Sequence, residues 1–465
     1  MPLILGTNSI KDTGYDVANS VRFNDNDSAY MHKTPGSAGD QQKFTFSFWI
    51  KRSNIETGTT MTLFDTQADG DNQFKIRLND NSTLTVESKV SDHNDSLITN
   101  QLFRDVSAWY SIIIAVDTTQ GTAGNRVKLY VNGTRVTSFA TENYPAENLN
   151  TLVNAANKLY VGTSVGTDSF YDGYLAEFCL VDGSQLAETS FGEFDSDSPT
   201  IWKPIDVSGL TFGTNGFYLD FEDSGNLGND ANGGTDLTEV NLAATDQSID
   251  TCTNNFCTLN LLAKGANVTL SDGNLQFTSN NRYGTVGTFG LSSGKWYWEV
   301  KVVDAGSDIQ VGIFQDGGNI GHPNAELGKT SQGWSVISIG GNRLHDLSQS
   351  SYGGAAFADD DVLMVALDMD NGKWYMGKNN SWFDSGNPAT SSSPAHTGIT
   401  GTIFPAIATY VESESGSINY QFNFGSPPYA ISSGNADGEG FGNFEYAVPS
   451  GYFAINTKNL AEYGG

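Results

Sequence analysis

Apolar and polar residues alternate along short runs of this chain, and turns rich in Gly, Asn and Asp separate the runs. In the run 44–50, for example, Phe44, Phe46, Phe48 and Ile50 fall on one face of an extended strand. No stretch has the spacing and composition of a long helix. The pattern therefore predicts an all-β fold of antiparallel sandwiches.

The alternation forms two series, and each opens on an aromatic run. The first series predicts strands at 44–50, 60–65, 73–78, 83–87, 109–116, 126–131, 134–137, 159–162 and 173–181. The second predicts strands at 275–277, 295–303, 309–314, 333–339, 362–368, 373–378, 403–410 and 418–424. Asn132-Gly133, between two strands of the first series, is a strong signal for a two-residue hairpin. Two β-sandwiches in a row are therefore expected.

The domain boundaries are placed where the alternation stops. We predict a lead-in at 1–25, a first sandwich at 26–194, an irregular connector at 195–260, a second sandwich at 261–428 and an aromatic-containing tail at 429–465. A short helix is expected at 185–194 and a single connector strand at 216–221. The aromatic residues of the tail favour a docked segment. Whether the connector packs on a sandwich stays open.

The net charge of the chain disfavours some classes of binding partner. The chain has 24 Lys and Arg against 53 Asp and Glu, a net charge of −29, which would repel phosphate backbones and anionic membranes. Nucleic acid is therefore not an expected partner. No run approaches the roughly 20 apolar residues of a membrane span, so no membrane insertion is expected. The start lacks a basic, apolar leader, which predicts synthesis in a cytoplasm without a signal peptide.

The three cysteines do not form a disulfide framework. Cys179 lies in an apolar strand and is expected to be a small core residue. Cys252 and Cys257 could form a bridge or stay free, and free thiols are preferred. No CxxC motif is present, and the five histidines set no zinc-ligand spacing.

Four runs of the first series carry a resemblance. They are FTFSFWIK (44–51), WYSIIIAV (109–116), VKLYVNG (127–133) and GYLAEFCLVDG (173–183). In this order they resemble the laminin-G and pentraxin branch of the concanavalin A-like lectins and glucanases, over roughly residues 20–185. The resemblance implies a jelly-roll of two antiparallel sheets.

The second series carries another resemblance. Its runs are GKWYWEV (294–300), QVGI (310–313), DVLMVALDMDNGKWYMGK (361–378), FPAI (404–407) and INYQFNFG (418–425). Together they resemble a SPRY domain. Such domains are binding modules that display variable loops from a rigid sandwich, so the resemblance implies recognition and not catalysis.

The two domains in this order, after the start MPLILGTNSIKDTGY (1–15), resemble structural proteins of marine tailed bacteriophages. That implies a non-enzymatic virion protein, a tail fibre or receptor-binding protein, that recognises a bacterial surface glycan or protein. Fibres are usually trimers, so a homo-oligomer and other virion proteins are implied partners. The alternatives are a capsid decoration or head-fibre protein and, less favoured, a polysaccharide depolymerase or a bacterial adhesin.

The sequence lacks the paired-carboxylate pattern expected of a depolymerase. A glucanase of this superfamily carries a Glu-x-Asp-x-x-Glu pattern, which places two carboxyl groups on one strand face. The nearest string is EFDSD (193–197), which lacks the second Glu and lies beyond the predicted sandwich strands. It is interpreted as a solvated loop, and no enzyme activity is predicted.

Two groups of candidate site residues remain. Asp65, Asp69, Asp71 and Asn72 supply many oxygens after a strand and could hold Ca²⁺. The alternative, that these residues serve a turn, is preferred. No other cofactor is expected. Aromatic and planar polar side chains on loops are the groups that hold sugars. The candidates of this kind are Tyr171, Trp334, Arg343, His345 and Trp382, and for the two tryptophans a core position is equally acceptable.

Overall fold

The computed structural model describes residues 12–55, 58–91, 93–306, 309–318, 320, 327–409 and 418–464. Residues 1–11 of the predicted lead-in and residue 410 of a predicted strand lie outside this set. The described residues divide into two compact units, one spanning Thr13–Thr253 and one that includes Asn254–Gly465. Both units consist mainly of antiparallel sheets, which confirms the predicted all-β class. Among the described helices, none is both long and apolar enough for a membrane crossing.

The strands of the first unit are numbered along the chain. They are β1 (Ser20–Phe23), β2 (Tyr30–Lys33), β3 (Lys43–Arg52), β4 (Met61–Asp69), β5 (Asn72–Leu78), β6 (Thr83–Val90), β7 (His93–Leu102), β8 (Trp109–Asp117), β9 (Val127–Val131), β10 (Thr134–Arg135), β11 (Phe139–Glu142), β12 (Leu159–Val161), β13 (Gly173–Asp182), β14 (Gly192–Phe194), β15 (Trp202–Pro204), β16 (Phe217–Leu219), β17 (Thr238–Val240) and β18 (Gln247–Ser248). A one-turn helix, α1 (Ala123–Arg126), precedes β9.

Two sheets form the first sandwich. The first sheet has the order β10-β9-β8-β3-β13-β1-β18, with β16 also paired to β13. The second sheet has the order β11-β7-β6-β5-β4-β12-β2-β17. The predicted apolar face of β3 is fully buried in the core between them. Asn132 and Gly133 have φ values of 47° and 71°, as a two-residue hairpin turn between β9 and β10 requires.

The segment that follows the first sandwich packs on it, which settles the point that the sequence left open. Within this segment β16 pairs with β13, β17 with β2 and β18 with β1. Trp202 and Phe212 are buried on the outer face of the first sheet. The unit therefore continues to Thr253, and residues 195–253 cover the sandwich instead of linking two domains.

The short helix predicted at 185–194 is mostly absent. Only Glu188–Ser190 forms a 3-10 turn, and Gly192–Phe194 is the strand β14. β14 pairs with β15, and Phe191 is buried between them and the sheet. Tertiary pairing of this segment overrides its weak helical pattern.

A buried ion pair fastens the end of the segment. The Lys51 Nζ lies 2.7 Å from Asp250 Oδ2, and both side chains are almost fully buried. Trp109 Nε1 donates to the other carboxylate oxygen of Asp250 at 3.1 Å. Cys252 follows closely, and Cys179, Cys252 and Cys257 form no disulfide bond in the described structure.

The second unit continues the strand numbering. Its strands are β19 (Val268–Ser271), β20 (Gln276–Ser279), β21 (Gly284–Val286), β22 (Lys295–Asp304), β23 (Ile309–Gln315), β24 (Gly333–Ile337), β25 (Arg343–His345), β26 (Ser348–Ser350), β27 (Val362–Asp368), β28 (Lys373–Lys378), β29 (Ser381–Trp382), β30 (His396–Thr397), β31 (Ile403–Thr409), β32 (Ile418–Asn423) and β33 (Phe453–Ala454). The helix α2 spans Thr457–Tyr463.

These strands form the second predicted sandwich. One sheet has the order β19-β20-β32-β22-β27-β28-β29, and β30 pairs with β28. The facing sheet has the order β21-β31-β23-β24-β25-β26. Trp296 and Trp298 on β22 are fully buried in the core, together with Trp374 on β28.

The C-terminal tail is docked on the second unit. β33 pairs in parallel with β22, and Phe444 and Tyr452 are fully buried. The buried carboxylate of Glu299 accepts the backbone N–H groups of Glu445 and Tyr446, each at 2.8 Å. Main-chain hydrogen bonds to one side chain thus hold a segment that has little strand pattern of its own.

Candidate ligand-binding site

The hairpin of β24 and β25 brings three of the predicted ligand-binding residues together. Trp334 lies directly across from His345 in the antiparallel register, and Val336 lies across from Arg343. The rings of Trp334 and His345 are stacked, with centroids 4.7 Å apart and planes 7° from parallel. Cross-strand partners share one sheet face, so Arg343 and His345 lie side by side on that face. We define Arg343, His345 and His396 as the basic cluster.

His396 joins the cluster from β30, beyond the hairpin. Its ring contacts His345 edge-on at 5.8 Å and stacks on Trp374 at 5.8 Å. Burial, followed by the neighbouring His345, lowers the pKa of His396 to about 4. His396 is therefore neutral at pH 7, and its buried Nε2 atom has no hydrogen-bond partner among the described residues.

Arg343 is the strongest charge of the cluster. Its Nε donates to Ser350 Oγ at 2.9 Å, and its Nη1 donates to the carbonyl oxygen of Ala395 at 2.8 Å. In the part of the chain that the structure describes, no carboxylate forms a salt bridge with Arg343. Acidic residues outnumber basic ones 53 to 24 in this chain. A half-buried arginine without a carboxylate is therefore available to an acidic ligand.

The orientation of the His345 ring is also set by the hairpin. Its Nδ1 lies 2.8 Å from the carbonyl oxygen of Gly333. A carbonyl only accepts hydrogen bonds, so Nδ1 carries the proton and Nε2 faces away from this contact. Trp334 is only 6% exposed. It belongs to the core and stacks beside His345 on the same sheet face, which decides the alternative that the sequence left open for this residue.

Tyr171 is not part of an exposed site. Its side chain is fully buried, and its hydroxyl donates to the carbonyl oxygens of Lys51 and Tyr174 at 3.1 and 3.2 Å. The prediction that Tyr171 lies on a ligand-binding loop is therefore wrong. The chain returns into the sandwich at this point, and Gly173 permits the close approach because a Cβ there would lie 2.3 Å from the Lys51 carbonyl oxygen.

Trp382 lies apart from the hairpin. It is half-buried on β29, which pairs with β28 in the other sheet of the second sandwich. The structure thus places Arg343 and His345 together and assigns Trp382 to a different strand pair. A role for Trp382 in ligand binding stays a prediction.

The predicted Ca²⁺ residues divide into two separate places. Asp69 and Asp71 form an exposed turn between β4 and β5, where Asp69 Oδ1 accepts from the backbone of Asp71 and the side chain of Asn72, each at 2.9 Å. Lys89 Nζ lies 2.7 Å from Asp71 Oδ1. Asp65 is four residues away along β4, about 13 Å.

Asp65 itself is buried and already has partners. Lys75 Nζ lies 3.7 Å from Asp65 Oδ2, and Ser164 Oγ donates to the same oxygen at 3.0 Å. Burial raises the pKa of Asp65 above its usual value. Among the described residues, no group of three or more His, Cys, Asp or Glu side chains is arranged to hold a metal ion. The geometry matches the turn interpretation, and Ca²⁺ binding stays untested.

Sequence reasoning missed the contribution of His396, Ser350 and Ala395 to the cluster. His396 is 51 positions from His345 along the chain, and no spacing in the sequence relates the two. Only the pairing of β30 with β28 brings His396 to the hairpin. No local pattern in the sequence identifies His396 as a member of the basic cluster.

Comparison with known families agrees with the two sandwiches. Residues 24–188 match the model of the concanavalin A-like lectin/glucanases superfamily, and residues 295–433 match the SPRY domain model. The chain contains a concanavalin A-like domain and a SPRY domain. The basic cluster lies within the SPRY match. No curated protein matches the chain.

Several solved structures are similar to parts of the chain. The SPRY domain of human HERC1 is 16% identical, with 35% of this chain and 96% of that chain covered and a TM-score of 0.29. The TRIM65 PSpry domain is 12% identical, with 36% and 88% covered and a TM-score of 0.28. The heptameric SAP-like pentraxin from Limulus polyphemus is 15% identical, with 37% and 80% covered and a TM-score of 0.28.

Proposed function

We propose that this chain is a non-enzymatic recognition protein and that the basic cluster of its SPRY domain binds an acidic group on a surface glycan. Both domains are of kinds that typically bind other molecules. The observation that carries the proposal is Arg343, a half-buried guanidinium held by Ser350 and Ala395 with no carboxylate partner in the described structure. Its planar donors match a carboxylate or sulfate, and His345 supplies a second polar group beside it.

The setting that we propose is a virion. The order of a concanavalin A-like domain and a SPRY domain resembles bacteriophage tail-fibre proteins, as described above. In that setting the chain acts as a tail fibre or receptor-binding protein, assembles as a homo-oligomer with a trimer favoured, and contacts other virion proteins and the bacterial surface. Repetition of weak sites in an oligomer would raise the overall affinity.

An oligosaccharide array tests the binding proposal. It should carry neutral, carboxylated and sulfated members, and the wild-type protein should bind acidic members that Arg343→Gln binds at least about tenfold more weakly. Arg104→Gln is the matched control, because Arg104 is an exposed arginine of the concanavalin A-like domain and its loss changes the net charge equally. Equal loss in both variants, or no binding of acidic sugars by the wild type, contradicts the proposal.

A further inference from the structure

The two nitrogens of the His345 ring in the basic cluster have different surroundings. Nδ1 lies 2.8 Å from the carbonyl oxygen of Gly333 and donates its proton there. In the neutral ring Nε2 then carries a lone pair and no proton. Within the described residues, no group forms a hydrogen bond with Nε2. Neutral His345 therefore presents an acceptor to a ligand at Arg343, whereas the protonated ring presents a donor.

The stacked indole of Trp334 favours the protonated form of His345. The two ring centroids lie 4.7 Å apart, with the planes 7° from parallel. A cation over the face of a tryptophan within about 6 Å is attracted by the ring electrons, and the attraction increases where water is excluded. Trp334 is buried in the core, so this stack can hold a positively charged ring.

The other ionisable groups around His345 oppose its charge or leave it unchanged. Arg343, two residues away on the same face of β25, disfavours a second cation, and His396 is neutral at pH 7 because burial lowers its pKa to about 4. Asp346 and Asp384 are exposed, and in the described structure neither forms a salt bridge with the cluster.

No further negative charge comes from the segments that pack against the cluster. Their remaining ionisable side chains are Lys329, Tyr352, Lys373 and Tyr375. Burial raises the pKa of Tyr352 and of Tyr375 above the usual value, so both are neutral at pH 7. An anion bound at Arg343 would therefore be the charge that favours protonation of His345.

Two of the three guanidinium nitrogens of Arg343 are already used. Its Nε has one proton, which it donates to Ser350 Oγ, and its Nη1 donates to the Ala395 carbonyl oxygen. Nη2 has no partner in the described structure. The Cα atoms of Arg343 and His345 lie about 7 Å apart along the extended strand. His345 can therefore supply the second donor to an anion at Nη2 once its own Nε2 carries a proton.

We propose that an acidic glycan group binds the basic cluster together with one proton from solvent, which is held on His345 Nε2. This inference rests on the proposed function of the cluster. The bound anion favours the protonated ring, so the complex holds this proton more tightly than the free protein does. Histidine ordinarily changes charge between pH 5 and 8. Affinity should therefore rise as the pH falls through this range, by up to about tenfold per pH unit for one proton, until the free ring is itself protonated.

Titration calorimetry of the full chain tests the proton coupling. The probes are sulfated carrageenan oligosaccharides and carboxylated alginate oligosaccharides, whose acidic groups stay charged between pH 5.5 and 8. Work at about 0.15 M NaCl limits the reach of the net protein charge to roughly 8 Å. The dissociation constant of a bound probe should fall at least about tenfold from pH 8 to pH 5.5. At pH 7, binding heats in two buffers of different ionisation enthalpy should show that protons are taken up.

A histidine variant assigns the proton to one residue. His345→Gln should bind the same probe more weakly at pH 5.5 and with little dependence on pH. His93→Gln is the matched control, because His93 is an exposed histidine of the concanavalin A-like unit, and it should keep the affinity and pH dependence of the wild type. The comparison of buffers uses the wild type alone, so it decides the question if His345→Gln fails to fold.

The outcomes separate this inference from the proposed function. Binding of equal affinity at both pH values without proton uptake, or wild-type pH dependence in folded His345→Gln, would overturn the inference and leave the proposed function standing. Absence of binding by both probes at every pH would overturn the inference together with the proposed function.

Discussion

Each of the two units contains a buried glutamate, and the two differ in what surrounds the carboxyl group. Glu177, on β13 of the concanavalin A-like unit, accepts from the Tyr218 hydroxyl at 2.9 and 3.0 Å, with the Tyr15 hydroxyl 3.5 Å away. Glu299, on β22 of the SPRY unit, accepts from two backbone N–H groups and from the Tyr297 hydroxyl. In both cases burial is the main cause of a raised pKa. The pKa is about 8 for Glu177 and about 7 for Glu299.

The donors around each glutamate decide whether both of its side-chain oxygens must accept a hydrogen bond. A tyrosine hydroxyl can donate or accept, so the partners of Glu177 can reorganise around a neutral side chain. A backbone N–H only donates, so Glu299 must present an acceptor oxygen to Glu445 and another to Tyr446. The same residue type can therefore replace one acceptor oxygen by a donor at Glu177, whereas Glu299 needs two acceptor oxygens to hold the tail.

The largest loss of stability is expected when the buried ion pair between Asp250 and Lys51 is broken. Asp250→Ala removes the carboxylate that lies 2.7 Å from the buried Lys51 ammonium, and we expect a loss of about 3–5 kcal/mol in the free energy of unfolding of the first unit. Urea denaturation, followed with hydrogen exchange over residues 195–253, measures it. Asp71→Ala, which removes an exposed pair with Lys89, should shift the urea midpoint little. Similar losses in both variants would show that burial of the pair does not matter.

Glu299→Gln tests the SPRY unit. The amide nitrogen of Gln cannot accept a backbone hydrogen bond, so one of the two tail N–H groups loses its acceptor, at a cost of about 1–3 kcal/mol. Faster hydrogen exchange at the amides of Glu445 and Tyr446 should accompany the loss. Wild-type exchange rates at both amides would contradict the role assigned to Glu299.

Glu177→Gln is expected to stabilise the first unit, in contrast to the loss of stability expected for Glu299→Gln. The folded pKa, about 8, lies above the unfolded pKa, so the folded state holds the proton more tightly. The contribution of Glu177 is therefore greatest below the unfolded pKa and is lost as the pH rises through about 8. At pH 7 the variant should be more stable than the wild type by about 1–2 kcal/mol.

The pH dependence provides the control for Glu177. The stability difference between Glu177→Gln and the wild type should grow as the pH rises from 5 to 8, as measured by thermal unfolding at several pH values. A constant difference across that range would mean that Glu177 is ionised in the folded unit.

The smallest changes in stability are expected for variants of two tyrosines in the first unit. Tyr171→Phe removes buried hydrogen bonds to the carbonyls of Lys51 and Tyr174 and should cost about 1 kcal/mol. Tyr160→Phe removes a hydroxyl without a protein partner in the described structure and should change stability by less than about 0.5 kcal/mol. Urea denaturation of both variants measures the difference, and equal losses would contradict the role assigned to the buried Tyr171 hydroxyl.

The strands and tight turns were predictable because their signals are local. Alternation with a period of two placed β3 and β22 and identified the buried face of β3, and Asn132-Gly133 identified a hairpin whose backbone needs positive φ. The two sandwiches and their order follow from such signals alone. The helix predicted at 185–194 was wrong because the pattern there is weak and strand pairing outweighs it.

The candidate sites were only partly predictable, because their residues meet through long-range packing. Alternation in the predicted strand 159–162 places Tyr160 on the face opposite Leu159 and Val161, but no local signal shows that Tyr171, in a predicted loop, is buried. The sequence by itself determined which segments form strands, since side-chain alternation is a property of neighbouring residues. The tertiary structure alone decided that Asp250 meets Lys51 and that His396 meets His345, since the energy of burying a charge or a ring depends on partners that the chain supplies from far away.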